Sequence, residues 1–207
     1  MKRVSAVIFD CDGVLFDSRH ANTMFYNHIL THFGLPPMKA GDEAFVYMHT
    51  ADESIHHIFR GTGLEEQAQV YRREMDYTPF IAGMIPEPGL LKLLRSLKHR
   101  FGLAMATNRS DTIAEVVRTH GLENLFDIVV SSLDVRNPKP HPECLLKILR
   151  FFQITAEEAI YVGDSPVDSK TARAAGVRFV AYKNPKLDAD HHVSGLGEIA
   201  ELPGIRG

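Results

Sequence analysis

Two carboxylates, those of Asp10 and Asp12, stand where a short apolar run ends, and this placement points to chemistry. The run opens the segment V-I-F-D-C-D-G-V-L-F-D-S, residues 7–18. Apolar runs of this kind are typical of buried strands in parallel sheets. Carboxylates at the end of such a strand are costly unless a cation or a ligand meets them, and Gly13 lets the chain turn sharply there. The segment therefore predicts either a ligand site or a plain turn closed by an aspartate side chain.

A hydroxyl and further polar residues follow a second apolar run, residues 102–106. Thr107 and the main-chain amide of Asn108 come just before a predicted helix. The N-terminus of a helix is well suited to holding phosphate oxygens. The same residues also fit a plain helix start, with Ser110 as the capping residue. Thr107 and Asn108 are therefore candidate phosphate-binding residues, with the capping interpretation still open.

A lysine and two more acids complete the set of candidate residues. Lys139 lies among three prolines in R-N-P-K-P-H-P, residues 136–142, and these prolines restrict its backbone. A lysine that must reach a phosphate benefits from such rigidity, whereas a solvated loop lysine does not need it. Asp164 directly follows a buried apolar run, where a carboxylate has little structural use. Asp168 comes four residues later, where it would also suit the N-terminus of a helix.

The elements that would position these residues alternate between strands and helices. Strands are predicted at residues 4–9, 102–106, 128–131, 159–162 and 178–182, and helices at residues 90–97, 111–120, 143–152 and 167–175. This alternation indicates βαβ units and a parallel sheet, and right-handed crossovers make the result a three-layer α/β sandwich. Ligands of open α/β sheets bind at the carboxyl ends of the strands. We therefore expect the candidate residues to meet at one edge of the sheet.

The chain between the first strand and the rest of the sheet predicts helices alone. Thr50 and Glu53 form the capping box that would begin one of them. We find no convincing strand in this stretch. The expected organisation is an all-helical insertion of residues 18–84 in an α/β core made of residues 1–17 and 85–207.

Bulk properties limit the classes of partner. The chain has 207 residues, 44% of them hydrophobic and 24% charged, which is ordinary for a soluble globular protein. A net charge of -3 and the lack of a basic run argue against a nucleic-acid partner. Two cysteines, Cys11 and Cys144, do not make a disulfide framework. Because no apolar stretch suits a signal peptide or a membrane span, we expect a cytoplasmic protein with no membrane partner.

The four polar segments resemble the four motifs of the haloacid dehalogenase superfamily, most of whose members are phosphatases. D-C-D-G-V-L-F-D-S from Asp10 resembles the first motif, and Thr107 stands in the place of the second. K-P-H-P from Lys139 has the K-P-x-P form of the third, and G-D-S-P-V-D, residues 163–168, matches the fourth. The motifs occur in the expected order, each at a predicted strand end. The resemblance implies a Rossmann-like core, and many members carry a small helical cap after the first strand.

The resemblance implies a Mg²⁺-dependent phosphatase that hydrolyses a small phosphorylated metabolite through an aspartyl-phosphate. Asp10 would be the nucleophile, and Asp12 would act first as general acid and then as general base. The acids and the substrate phosphate bring more negative charge than Lys139 balances, so a cation such as Mg²⁺ is needed. Its expected ligands are Asp10, Asp12 through its main-chain carbonyl, Asp164, and Asp168 directly or through water. The residues expected to bind the phosphoryl oxygens are Thr107, Asn108 and Lys139.

Other activities stay open on the same core. A phosphomutase would return the phosphoryl group to a sugar, and a non-catalytic binding protein would share only the fold. A dehalogenase lacks an acid two residues after its nucleophile, so Asp12 argues against it. G-D-S-P-V-D followed by A-R-A-A-G, residues 172–176, is typical of the phosphoglycolate phosphatase-like branch, which includes enzymes for many small phosphates. The substrate and the oligomeric state are therefore not named, and specificity is expected from residues 49–52 and Arg60 of the cap.

Overall fold

The computed structural model describes residues 3–206, with a six-stranded parallel sheet at its centre. In chain order the strands are β1 (Ala6–Phe9), β2 (Phe16–Asp17), β3 (Ile85–Pro86), β4 (Gly102–Ala106), β5 (Ile128–Val130), β6 (Ala159–Gly163), β7 (Arg178–Tyr182) and β8 (His191–Val193). The sheet order is β5-β4-β1-β6-β7-β8, while β2 and β3 form a separate antiparallel pair. Within the sheet, Phe9 is in register with Met105 and Val162. The carboxyl end of β1 therefore lies between those of β4 and β6.

Helices cover both faces of this sheet. In chain order they are α1 (Arg19–His32), α2 (Ala40–Met48), α3 (Ala51–Phe59), α4 (Glu65–Glu74), α5 (Thr78–Ala82), α6 (Leu90–Lys98), α7 (Ile113–Thr119), α8 (Glu143–Phe152), α9 (Pro166–Ala175) and α10 (Leu196–Ile199). α6, α7 and α10 pack on one face, and α8 and α9 pack on the other. Side chains along a strand alternate between faces, so Val7 and Phe9 join the first layer and Ile8 joins the second. The predicted three-layer α/β core is confirmed.

The helices between β2 and β3 form a cap with a small apolar core of its own. Its buried residues come from α1 to α4 and are Phe25, Tyr26, Ile29, Leu30, Val46, Ile55, Phe59 and Ala68. The chain enters and leaves this cap through β2 and β3, which pair with each other. The all-helical insertion after the first strand is confirmed. The division of the chain between residues 17 and 18 and between residues 84 and 85 stays a prediction.

Where the sequence analysis gives a range for a strand or helix of the core, its ends agree with the observed ones to within about two residues. The capping box of α3 is present, with the Glu53 amide 3.3 Å from Thr50 Oγ1 and the Thr50 amide 2.9 Å from the Glu53 carboxylate. The sequence analysis missed the short strands β2, β3 and β8 and the helices α2, α5 and α10. Within residues 3–206, no helix combines the length and apolar character that crossing a bilayer requires.

Candidate active site

Asp10 follows the end of β1 and lines the cavity between the cap and the core. Its amide donates to the Val162 carbonyl at 2.9 Å, which continues the β1–β6 ladder by one residue, and its side chain is buried. The carboxylate oxygen Oδ1 accepts hydrogen bonds from the Cys11 amide at 2.7 Å and from Lys139 Nζ at 2.8 Å. Two donors on one oxygen fix the orientation of the carboxylate, which a nucleophile that attacks in line requires.

Lys139 is the buried cation at the centre of the site. Its Nζ lies 2.8 Å from Asp10 Oδ1, 2.7 Å from Asp168 Oδ1 and 3.0 Å from the Tyr161 hydroxyl. Burial alone would lower the pKa of Lys139, but the carboxylates of Asp10 and Asp168 outweigh it and raise the pKa above its usual value. The ammonium group is therefore charged, and it balances part of the negative charge around Asp10.

The side chain of Asn108 holds the loop that carries Lys139. Its Nδ2 donates to the Lys139 carbonyl at 3.0 Å, and the Lys139 amide donates back to Oδ1 at 3.0 Å. The same Nδ2 also donates to the Met48 carbonyl of the cap at 3.2 Å. Thr107 is buried beside it, and its Oγ1 accepts the Arg109 amide at 3.0 Å. The segment after β4 therefore fixes the lysine loop as well as lining the site.

Asp168 is fully buried and supports Lys139 from behind. Its Oδ1 accepts from Lys139 Nζ at 2.7 Å and from the Tyr161 hydroxyl at 2.6 Å. Its Oδ2 accepts from the amide and the hydroxyl of Ser165 at 3.1 and 2.5 Å. Burial alone would raise the pKa of Asp168, but Lys139 outweighs it and lowers the pKa. Because both carboxylate oxygens already accept hydrogen bonds from protein groups, the side chain of Asp168 is directed at Lys139 and not at the cavity.

Three carboxylates, those of Asp10, Asp164 and Asp168, each offer an oxygen within 4.8 Å of the others. Burial, followed by the charge of Asp168, raises the pKa of Asp10 well above its usual value and raises the pKa of Asp164 to about 7. The raised pKa values thus reflect burial first, and then negative charge that Lys139 alone does not balance. Carboxylate oxygens are the ligands that Mg²⁺ prefers, and a cation there would stabilise both ionised acids. The donor set therefore fits Mg²⁺.

Gly13 opens the space beside Asp164. Its φ is +79°, a conformation that is strained for any residue with a Cβ. A Cβ at this position would lie 2.2 Å from Asp164 Oδ2 and 2.5 Å from the Tyr47 hydroxyl. Only glycine fits here, both for its backbone conformation and for the room that it leaves next to the acids.

Asp12 is not part of the acidic cluster and pairs with Arg109. The guanidinium binds both carboxylate oxygens, with Nε 2.8 Å from Oδ2 and Nη2 2.7 Å from Oδ1, and the Ser18 hydroxyl also donates to Oδ1. A bidentate pair fixes the plane of the carboxylate. The sequence analysis did not single out Arg109, although it stands two residues after Thr107. A loop arginine before a helix usually indicates a solvated side chain, and nothing local points to a partner 97 positions away.

A cavity of about 830 Å³, counted to its open mouth, lies between the cap and the core. The predicted site residues that line it are Asp10, Asp12, Thr107, Asn108, Lys139 and Asp164. Its cap side is largely apolar and aromatic, with Phe25, Tyr26, Val46, Phe80 and Ile81 in the wall. The structure therefore brings all the predicted site residues to one cavity except Asp168, which lies behind Lys139.

The cap residues predicted to set specificity take different positions. His49 and Ala51 line the cavity, while the Thr50 side chain caps α3. Asp52 lies at the start of α3, where its carboxylate pairs with an arginine of α4. Arg60 is exposed at the end of the same helix and is not among the described residues that line the cavity. Only part of the predicted segment therefore faces the substrate space.

Arg72 of α4 ties the cap to the core. Its side chain is buried, with Nη2 2.8 Å from Asp52 of the cap and Nη1 3.2 Å from Asp111, which precedes α7 of the core. The Tyr77 hydroxyl also donates to Asp111 at 3.3 Å. Arg72 and Asp111 both line the cavity. The sequence analysis missed this arginine because α4 is charged along most of its length, and an arginine there usually indicates a solvated helix face.

Comparisons with known proteins identify the family to which the chain belongs. A sequence profile of the haloacid dehalogenase-like hydrolases matches residues 7–182. A phosphoglycolate phosphatase of Chromobacterium violaceum is 30% identical over 98% of this chain and 97% of its own, and the pyrophosphatase PpaX of Bacillus velezensis is 28% identical over 99% of both chains. The crystal structure of a subfamily IA hydrolase of this superfamily from Geobacter sulfurreducens has a TM-score of 0.86 and 40% identity, covering 97% of this chain and 100% of that chain. The resemblance of the four motifs is thereby confirmed, and the chain belongs to the haloacid dehalogenase-like hydrolase family.

Proposed function

We propose that this chain is a Mg²⁺-dependent phosphatase that hydrolyses a small phosphate ester through an aspartyl-phosphate on Asp10. The observation that carries the proposal is a pair of carboxylates with different surroundings at the end of β1. Asp10 has an ammonium group and two further acids around it, whereas Asp12 is held by Arg109 and Ser18. Two neighbouring carboxylates in different environments can divide the work of nucleophile and acid–base group.

Asp10 would attack phosphorus, forming a new oxygen–phosphorus bond as the bond to the leaving oxygen breaks. Its orientation is already fixed by the Cys11 amide and Lys139. The phosphoryl oxygens would be met by Lys139, the Thr107 hydroxyl and the Asn108 amide. These donors stand on segments that hold one another in place, so they are preorganised for the charge that develops in the transition state.

Asp12 would give a proton to the leaving oxygen and then take a proton from the water that hydrolyses the aspartyl-phosphate. Both of its carboxylate oxygens accept hydrogen bonds from Arg109, and Ser18 donates as well. A protonated carboxyl group accepts fewer hydrogen bonds than a carboxylate. At least one of these donors must therefore be released in the step in which Asp12 acts as an acid.

Mg²⁺, when bound, supplies the positive charge that lets an anionic phosphate approach an anionic nucleophile. The residues that would hold it are Asp10, Asp164 and the main-chain carbonyl of Asp12. Asp168 would contribute through Lys139 or through a water molecule, because its own oxygens already accept from Lys139, Tyr161 and Ser165. The side chain of Asp12 stays free of the cation and available for proton transfer.

The names of the relatives support phosphate hydrolysis on small substrates. The relative from Chromobacterium violaceum is named a phosphoglycolate phosphatase and that from Bacillus velezensis a pyrophosphatase. Because the two names differ in substrate, we propose the reaction and the substrate class, not the compound.

The first experiment measures turnover of p-nitrophenyl phosphate by the purified chain with Mg²⁺ and with EDTA. We expect Mg²⁺-dependent release of p-nitrophenol, and none from Asp10→Asn, which keeps the size of the side chain but removes the nucleophile. Full Mg²⁺-dependent activity in that variant would contradict the mechanism. Phosphate binding by the wild type without turnover of any substrate would identify a binding protein instead.

A second experiment separates a phosphatase from a phosphomutase. A panel of phosphorylated metabolites, with phosphoglycolate, pyrophosphate and hexose phosphates among them, is followed by ³¹P NMR. A phosphatase releases inorganic phosphate from its best substrate, and this is the expected result. A mutase keeps phosphorus in ester form and converts one sugar phosphate into another, which would overturn the proposed reaction while keeping Asp10 as the nucleophile.

A further inference from the structure

The hydroxyl of Tyr47, on α2 of the cap, is shielded from solvent and has no hydrogen-bond partner among residues 3–206. Buried polar groups nearly always have partners, because an unsatisfied donor or acceptor is costly. The phenol ring alone could be supplied by phenylalanine. The hydroxyl therefore calls for a partner that the protein chain does not provide.

The hydroxyl lies beside the acids proposed to hold the cation. It is 2.5 Å from the point that a Cβ on Gly13 would occupy, and Asp164 Oδ2 is 2.2 Å from the same point. The two groups thus border the space that Gly13 leaves open, without a hydrogen bond between them. Tyr47 and Asp164 also both line the cavity between cap and core and a second cavity that shares these two residues. The hydroxyl therefore borders the gap beside Asp164 while being shielded from bulk solvent.

The ring of Tyr47 stacks against an arginine at the start of the cap. The guanidinium of Arg19, at the start of α1, lies 4.1 Å from the ring centroid of Tyr47, and its Nη2 is 3.8 Å from Asp164 Oδ2. Stacking of this kind is favourable and directional. Burial, followed by the charges of Asp164 and Asp12, raises the pKa of Tyr47. The hydroxyl is thus neutral, and it can accept one hydrogen bond and donate another.

We propose that Tyr47 is the cap's contribution to the cation site, and that its hydroxyl bonds a water molecule on the divalent cation held by Asp10 and Asp164. The proposal rests on the cation site of the proposed function. Mg²⁺ keeps several water ligands when carboxylates bind it, and water on a cation is a strong hydrogen-bond donor. Tyr47 is a positioning residue in this role, because it acts through the water and does not touch the substrate. Cation binding would then also stabilise the contact between the cap and the core.

The test is Tyr47→Phe, which keeps the ring and its contact with Arg19 and removes only the hydroxyl. We expect the metal-free variant to melt at the same temperature as the wild type or higher, because an unsatisfied buried group is gone. We expect its affinity for Mg²⁺, measured by calorimetry and by the Mg²⁺-dependent rise in melting temperature, to fall about two- to tenfold, the effect of one hydrogen bond. The opposite signs of these two effects separate this role from ordinary packing.

Two further variants control the experiment. Tyr71→Phe removes a cap hydroxyl that contacts His28 Nε2 at 3.0 Å, outside the main cavity, and should leave the Mg²⁺ affinity unchanged. Asp164→Asn should abolish measurable Mg²⁺ binding. Unchanged affinity in Tyr47→Phe, or a lower melting temperature without metal, would overturn the role of Tyr47 alone. Weaker binding that appears only when inorganic phosphate is added would assign the hydroxyl to the phosphoryl group and overturn the water contact. Wild-type protein that does not bind Mg²⁺ would overturn the cation site itself.

Discussion

Replacing Arg109 with methionine tests whether the arginine holds Asp12. Methionine keeps much of the volume of the arginine side chain and removes both hydrogen bonds, those of 2.8 and 2.7 Å to the two carboxylate oxygens. Each partner is only 13% exposed. The variant therefore leaves the Asp12 carboxylate in a shielded place with Ser18 as its remaining side-chain donor. We expect a loss of folding stability from this uncompensated charge.

The size of the loss follows from burial. Breaking a fully buried ion pair by removing one partner costs about 3–5 kcal/mol. Asp12 borders the cavity and keeps the Ser18 hydrogen bond, so we expect Arg109→Met to lower the free energy of unfolding by about 2–4 kcal/mol. The matched control is Arg118→Met. Arg118 binds Glu115 through two similar hydrogen bonds, but its side chain is 67% exposed, so its loss should barely change stability.

Urea unfolding of the metal-free protein measures these differences, and a double-mutant cycle with Asp12→Asn isolates the pair. Asp12→Asn alone leaves the guanidinium without its charge partner, so each single variant is destabilised by the partner that remains. The double variant should lose less than the sum of the two by more than about 1 kcal/mol. Additive losses, or an Arg109→Met variant as stable as Arg118→Met, would refute the view that this ion pair holds Asp12 in place.

Four further predictions concern the site. Asp12→Asn should slow turnover by about 10²–10⁴-fold. The rate at which Asp10 is phosphorylated should fall more with an alkyl phosphate than with p-nitrophenyl phosphate, and equal falls would argue against the acid role. Gly13→Ala should abolish Mg²⁺ binding because the new Cβ would overlap Asp164 Oδ2. Gly34 has a similar φ of +68° but nothing within 4 Å of its Cβ position, so Gly34→Ala should bind Mg²⁺ normally and cost only about 1–2 kcal/mol of stability. Equal Mg²⁺ affinities in the two variants would contradict this. Mg²⁺ affinity should fall as pH drops below about 7, the raised pKa of Asp164, because this carboxyl group must lose its proton before the cation binds. The metal-free protein should lose folding stability as pH rises from about 4 to about 7, because in this range the folded state holds a proton on Asp164 that the unfolded state does not. Arg72→Met should lower kcat/KM for the best substrate of the panel more than for p-nitrophenyl phosphate; parallel losses would mean that this arginine serves the fold alone.

The parts of the site that the sequence predicted are those where chemistry and local structure coincide. Asp10, Thr107 and Asp164 each follow a buried strand directly, so their places in the fold depend only on where the strand ends. Periodicity defines strands well when they are central and apolar on both faces, as β1 and β6 are. The parallel sheet then brings the three strand ends together without any further information.

Cavity residues whose partners lie far away in sequence left no such signal. Arg109, Arg72 and Tyr47 have partners far away in sequence, and each stands in a segment whose local pattern fits a solvated or packed side chain equally well. Some helices of the cap are also difficult to predict from the sequence. α2 carries Gly41 in its first turn and buries only Val46, so it lacks the apolar stripe by which a helix is recognised. The cap half of the site was therefore predicted only in outline.

The two halves of the cavity are built differently, and this difference bears on how the protein selects a substrate. On the phosphoryl side, hydrogen bonds run without a break from Ser165 through Asp168 and Lys139 to Asp10, all of them between core residues. In the proposed function, that side binds only the group that every phosphate ester shares. On the opposite side, the cap supplies a largely apolar wall. The two cations that border it, Arg109 of the core and Arg72 of the cap, already have carboxylate partners, Asp12 for Arg109 and both Asp52 and Asp111 for Arg72. A leaving group that carries an anion must compete with those carboxylates, while a neutral one meets the apolar wall. Under the proposed function, we therefore expect substrate selection to depend on the cap wall and on these two ion pairs, with the core supplying the reaction.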